Sequence, residues 1–196
     1  MKRIGIATED ILSEAVVEKV ISELLSDFYI TIKLRKEGFG YLKSNIKKFN
    51  QIAAQYPMVV VTDLDHIKCP VELISNWITF PKNPKLIFRV AVRETESWLL
   101  ADTEAICSFL EISPSLCPPS PDDLSDPKQK LLNLVRKSTV KAIKHDILPS
   151  PKGTTSPVGL GYNRRMLEFV EEYWDFSRAS NKSESLRRML HEMRTL

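Results

Sequence analysis

An α/β fold with a parallel sheet, extended by a helical C-terminal region, is what this sequence predicts, and three observations predict it. Four short apolar runs rich in β-branched residues (Ile4 to Ala7, Phe28 to Arg35, Met58 to Thr62, Leu86 to Val92) each precede a stretch with helical apolar spacing. Strands alternating with helices four times over call for a parallel sheet covered by helices on both faces. Finally, Pro114, Pro118, Pro119, Pro121 and Pro127 crowd one segment, a density at which no regular element is expected to survive. The expected domains are therefore an α/β core over 1–112, a proline-rich linker over 113–126 and a basic helical region over 127–196 packed on the core.

Taken in order, Ile4 to Ala7 reads as a short buried strand. Ser13 is a candidate N-cap for the helix whose Val17, Val20, Ile21 and Leu24 recur at helical spacing. Phe28 to Arg35 alternates apolar Phe28, Ile30, Ile32 and Leu34 with Tyr29, Thr31, Lys33 and Arg35, as a strand at or near a sheet edge does. A helix from about Tyr41 to Gln55 follows the Gly38-Phe39-Gly40 break. Pro57 stops it before the central strand, and Pro70 suits the first turn of a helix through Ile74 and Trp77. Arg93 to Leu110 reads as one long amphipathic helix. In the C-terminal region Asp126 caps a helix that has Pro127 at its first position. Pro149 to Gly161 is a loop, Asn163 caps the helix carrying Met166, Leu167, Val170 and Trp174, and a last helix covers Leu186 to Met193.

Composition narrows the function classes. Hydrophobic residues make up 43% of the 196, enough for a core, and no apolar run approaches the roughly 20 residues of a membrane span. The three cysteines form no Cys-x-x-Cys motif, and the N-terminus has no signal-peptide pattern. A reducing cytoplasm is the expected location. The net charge of +3 is unevenly spread: residues 1–126 carry 14 Lys/Arg against 18 Asp/Glu, residues 127–196 carry 14 against 7. An acidic front and a basic back suit a cation site beside a polyanion-binding surface, although Lys/Arg-rich helices also serve solubility.

The chemistry concentrates at the strand ends. Asp63 and Asp65 follow the central strand, Glu9, Asp10 and Glu14 follow the first, and Glu94 and Glu96 follow the fourth. Open α/β sheets bind ligands at the carboxyl ends of their strands. Magnesium takes oxygen ligands and needs only one or two carboxylates per ion. Two such ions roughly 4 Å apart are a known means of phosphodiester cleavage. Asp63, Asp65 and Glu9 make one candidate shell, and Glu14 with Glu94 or Glu96 a second. Two apart on a helix, Glu94 and Glu96 point in different directions, so one of them would pair elsewhere, with Arg93 or Arg89. Each acid taken singly also suits a helix cap or a turn.

A strand followed by glutamate, then a later strand followed by Asp-x-Asp, resembles the Toprim catalytic core of topoisomerases, primases and OLD-type nucleases over roughly residues 1–112. The stretches Ala7 to Ala15, Arg93 to Asp102, Asp126-Pro127-Lys128 and Gly159-Leu160-Gly161-Tyr162-Asn163 extend the likeness over nearly the whole chain, to a small bacterial Toprim-like family described as a domain of unknown function. The resemblance implies a four-stranded parallel sheet flanked by helices. It implies Mg²⁺, with Mn²⁺ as a substitute, held by Glu9, Asp63 and Asp65, with Glu14 toward a second ion. It implies nucleic-acid phosphodiester hydrolysis, on DNA before RNA, in a phage-defence-type module with a separately encoded AAA/ABC-type ATPase; a homodimer is a further option. The chain departs from OLD-type nucleases in spacing its first two glutamates five apart rather than four. The basic residue near the leaving group has only Lys141, Lys144 and Arg93 as candidates.

Other readings stay open. Lys130, Lys137, Lys141 and Lys144 fall at helical intervals and could meet phosphates or form a solvated face. Phe39 and Tyr41 lie among Lys36, Lys43, Lys47 and Lys48, which suits either nucleic acid or ordinary packing. Val61 to Asp65 also resembles the first motif of haloacid-dehalogenase phosphatases, but on the wrong strand and without the later motifs. His66 and Cys69 lack the second pair that a zinc site needs, and Cys107 reads as packed. No Gly-x-x-x-x-Gly-Lys-Ser/Thr segment occurs, so any ATP hydrolysis belongs to another chain. The alternative to a nuclease is a non-catalytic subunit that docks on an ATPase.

Overall fold

The computed structural model describes residues 1–35, 38–149 and 156–196. Lys36 and residues 150–155 of the loop expected over Pro149 to Gly161 lie outside the described residues. The chain forms two compact units, Met1–Thr95 together with Ser185–Leu196, and Glu96–Glu184. This division differs from the border expected at the proline-rich segment, which falls inside the second unit.

In the first unit β1 (Lys2–Thr8), α1 (Ile11–Leu24), β2 (Phe28–Arg35), α2 (Gly38–Ile52), β3 (Met58–Asp63), α3 (Pro70–Trp77) and β4 (Leu86–Ala91) alternate. The strands form an all-parallel sheet in the order β2-β1-β3-β4, the expected fold class. Parallel neighbours require crossover connections, and a helix lies in each interval. The central strands β1 and β3 are buried continuously from Ile4 to Thr8 and from Met58 to Thr62, as strands covered on both faces must be. Edge strand β2 alternates instead, with Tyr29, Thr31 and Lys33 exposed. One face of the sheet packs Ala7, Met58, Val60, Leu86, Phe88 and Val90 against Leu42, Ile46 and Phe49 of α2 and Leu73 and Trp77 of α3. Phe39 belongs to this layer, its ring edge-on to Trp77 with centroids 4.8 Å apart, so packing accounts for it.

β1 and β2 slip by one residue between Ile4 and Gly5, leaving Thr31 unpaired in the ladder. The Thr31 hydroxyl donates to the Ile4 carbonyl at 3.3 Å, returning a partner at the bulge. Gly5 is required there. A Cβ on it would stand 2.7 Å from Met58 Sδ and 2.8 Å from Ile32 Cγ2.

The helix expected over Arg93 to Leu110 is two helices, α4 (Thr95–Ala101) and α5 (Thr103–Leu110). Asp102 separates them with a non-helical backbone (φ −86°, ψ 80°) and caps α5 by accepting the Ala105 N–H at 3.2 Å. The first helix also starts differently from expectation. Asp10 is the N-cap of α1, and Ser13 returns the bond to the Asp10 N–H in a reciprocal capping box.

In the second unit the proline-rich segment forms two single-turn 3-10 helices, Pro114–Leu116 and Pro121–Asp123, each with proline at its first position. Proline's fixed φ favours such short turns even where it forbids longer elements. The segment is tied down within its unit: the Lys130 ammonium donates to the Leu116 carbonyl at 3.0 Å, and the Ser183 hydroxyl to Asp122 at 2.8 Å. Helix α6 (Pro127–Lys137) has the expected Asp126 cap, whose Oδ1 accepts the Gln129 N–H at 2.7 Å. Then follow α7 (Lys141–Ile147), α8 (Tyr162–Glu172), α9 (Phe176–Ser180) and α10 (Glu184–Met193). Gly161 rather than Asn163 precedes α8, without a side-chain cap. The last helix returns to the first unit, where Glu192 pairs with Arg89 of β4 and with Lys82 at 3.3 Å. No helix among the described residues is long and apolar enough to cross a membrane.

Candidate functional site

The carboxyl ends of β1 and β3 adjoin, because Thr8 pairs with Val61. The Asp63 N–H lies beyond that last pair, and the Glu9 carboxylate takes the place of the missing strand partner. Glu9 Oε1 accepts the Asp63 N–H at 2.9 Å and also accepts from the Thr62 hydroxyl. Glu9 is half-buried, and burial pushes its carboxyl above the usual range. The Thr62 and Asp63 donors act against that shift, while the charges of Asp65 and Asp10 add to it. The adjoining ends of β1 and β3 thus carry four acidic residues, Glu9 and Asp10 on one and Asp63 and Asp65 on the other.

Asp63 reaches the other way. Its Oδ1 accepts the Thr95 N–H at 3.0 Å and the Thr95 hydroxyl at 2.9 Å, so a carboxylate from the end of β3 caps the first turn of α4. Asp65 is exposed and sits in the left-handed region (φ 49°), which aspartate tolerates better than most residues. Its turn is braced on both sides. The Asp65 N–H donates to the Arg93 carbonyl at 2.9 Å, and the Arg93 guanidinium donates to the Asp65 and Ile67 carbonyls at 3.1 and 2.7 Å. Arg93, expected near a leaving group or an acidic partner, spends these bonds on holding the loop. Arg89, the other expected partner of Glu94 or Glu96, pairs with Glu192. His66 beside this turn is exposed.

Glu14 is half-buried in the first turn of α1, and Glu94 is half-buried just before α4. Glu96 belongs to the second unit and is 4% exposed. Its Oε1 accepts the Tyr162 hydroxyl at 2.7 Å and pairs with the Lys128 ammonium at 3.2 Å. Lys128 also lies over the Tyr162 ring, 5.3 Å from its centroid. This joins three of the sequence stretches noted above: the one after β4, the Asp126-Pro127-Lys128 cap and the Gly159 to Asn163 turn. A buried carboxylate needs such partners, so they give Glu96 a structural explanation. Nearby in sequence, Asp102 is 1% exposed and accepts from Arg178 at 2.8 and 3.0 Å and from the Asp175 N–H at 2.9 Å.

The lysines expected to form one stripe lie on two helices, Lys130 and Lys137 on α6, Lys141 and Lys144 on α7. Ser138 ends α6 with an extended ψ of 147°. Its buried hydroxyl donates to the Leu110 carbonyl at 2.6 Å. Lys137 and Lys141 are exposed, Lys144 is half-buried, and Lys130 is bound to Leu116.

Sequence reasoning missed Thr62 and Thr95, the hydroxyls that hold Glu9 and Asp63. Thr62 adjoins Asp63 in the chain, but its partner lies 53 residues away, and the partner of Thr95 lies 32 away, separations that no local spacing discloses. Among the described residues no group of three His, Cys, Asp or Glu side chains stands close enough to hold a metal ion. Compared with known protein families, curated proteins and solved structures, the chain matches none.

Proposed function

We propose that the strand-end carboxylates form a divalent-cation site for phosphodiester hydrolysis of nucleic acid. The observation behind this reading is Glu9. It is a half-buried carboxylate at a sheet's carboxyl edge, raised by burial and by the charges of Asp65 and Asp10. Perturbed groups of this kind concentrate at functional sites. The donors fit magnesium in kind, since all are carboxylate oxygens. Glu9, Asp63 and Asp65 would hold the ion, with Glu14 toward a second, and Mn²⁺ would substitute. When bound, the ion would supply positive charge against the phosphate and the leaving oxygen.

The chain's own residues supply position. Thr62 and the Asp63 N–H fix one Glu9 oxygen, Thr95 fixes one Asp63 oxygen, and the Arg93 brace fixes the backbone beneath Asp65. Asp65 is the member exposed to solvent, and completing a shell requires its side chain to turn toward Glu9. The basic surface for a polyanion would be drawn from Lys137, Lys141 and Lys144, with Lys130 at its margin. A cytoplasmic location and an ATPase partner belong to the same proposal.

The test is nicking of supercoiled plasmid by the full chain in Mg²⁺ or Mn²⁺. Nicking that chelator and Asp65→Asn both abolish is the expected result; cleavage unaffected by Asp65→Asn would remove this site from the reaction. A second reading, a non-catalytic subunit that docks on an ATPase, is favoured by a different observation. Glu9 and Asp63 each already satisfy backbone and hydroxyl donors, as structural carboxylates do. Folded protein that neither binds metal nor nicks, yet copurifies with an ATPase, would favour it.

A further inference from the structure

Cys107 on α5 and Cys117, which follows the first 3-10 turn, lie ten residues apart in sequence, with their sulfurs 3.7 Å apart. Both are half-buried and reduced. A disulfide needs about 2.05 Å, so the sulfurs must close by roughly 1.7 Å. Pro114, Pro118 and Pro119 restrict the backbone around Cys117, and Lys130 pins the neighbouring Leu116 carbonyl, so the pair is held together. Two thiolates alone do not make a zinc site, and no group of three metal-binding side chains occurs among the described residues.

We infer that Cys107 and Cys117 are a reversible modification site, a vicinal dithiol that a low-molecular-weight disulfide oxidises to an intramolecular disulfide. Burial first, then the neighbouring Cys107 sulfur, pushes the Cys117 thiol up to about 12, against the opposing pull of Lys182 and Lys130. The two sulfurs share their environment, so either can open the exchange and the other completes it. One thiol of the pair gives up its proton and attacks one sulfur of the small disulfide, forming a mixed disulfide and expelling one thiolate. The other thiol then gives up its proton and attacks the modified protein sulfur, expelling the second thiolate. Two protein thiols are oxidised and one small disulfide is reduced to two thiols. The product would staple α5 to the proline-rich segment within the second unit.

The test equilibrates reduced full-length protein with graded ratios of oxidised to reduced glutathione, quenches with an alkylating agent and maps the peptides. The expected product is monomeric protein with a Cys107–Cys117 cross-link that dithiothreitol reverses, while Cys69 is alkylated. Cys117→Ser or Cys107→Ser should each lose the cross-link and stop at the glutathione mixed disulfide of the remaining cysteine under the same ratios. Separate glutathione adducts on both cysteines, a cross-link between chains, or no Cys107–Cys117 bond at ratios that glutathionylate Cys69 would each overturn the inference.

Discussion

At the scale of the residue, Glu9 is where structure and chemistry meet. Its carboxyl is raised above the unfolded value of 4.5, so the folded state binds that proton more tightly. The stability this contributes is fully present below about 4.5 and is lost as the pH rises through the folded value. Above the folded value, ionised Glu9 is a cost to folding. Glu9→Gln keeps an oxygen for the Asp63 N–H and the Thr62 hydroxyl and removes the charge. Thermal melts should show the variant at least as stable as wild type at pH 7, with the difference shrinking as the pH falls toward 4.5. A variant less stable by the same margin at every pH would contradict this account of the shift. Asp65 supplies a second residue-level prediction. At its positive φ, Asp65→Gly should be neutral or stabilising by up to about 1 kcal/mol, and Asp65→Ala destabilising by about 1 kcal/mol, as denaturant titration would measure. The acids themselves were legible in the sequence because each ends an apolar run. Their partners were not, because Thr62 and Thr95 acquire their roles only when distant segments meet.

At the scale of the element, short polar contacts decide where helices begin and end. Asp102 breaks the expected long helix because its carboxylate is claimed by Arg178 and by the N–H groups of Ala105 and Asp175. Removing one partner of a fully buried pair costs about 3–5 kcal/mol. Arg178 is partly solvated, so Arg178→Ala should cost about 2–3 kcal/mol in urea unfolding. A loss below about 0.5 kcal/mol would show that the backbone donors alone satisfy Asp102. Asp10 is the parallel case at α1, where Asp10→Ala should cost about 1 kcal/mol by the same measurement. Helix existence was legible from apolar periodicity. Exact starts were less so: Ser13 and Asn163 have cap chemistry, but the positions that cap are filled by Asp10 and Gly161. The bulge at Thr31 was also illegible, since the alternation of β2 continues through it.

At the scale of the whole molecule, the alternation of strands and helices sufficed for the parallel sheet, because parallel neighbours can be connected in few ways. It did not disclose the order β2-β1-β3-β4, which places Glu9 beside Asp63 and makes a common site conceivable. Nor did the prolines mark the border between units. Glu192 returns to Arg89 and Lys82 within the first unit, and Ser183 ties a proline turn down within the second. Such ties join segments far apart in sequence. The lysine intervals legible in the sequence did not disclose that Ser138 ends α6, so that the four lysines divide between α6 and α7.

The central claim is that Glu9, Asp63 and Asp65 act together on a divalent cation. Calorimetric titration of Mn²⁺ and Mg²⁺ into wild type and into Asp63→Ala, Asp65→Ala tests it most directly, with circular dichroism on the same samples to confirm folding. Saturable binding to wild type that the double variant loses while remaining folded is the predicted result. Absence of binding to folded wild type, or equal binding to both proteins, would contradict the claim and leave the strand-end acids as caps and surface charge.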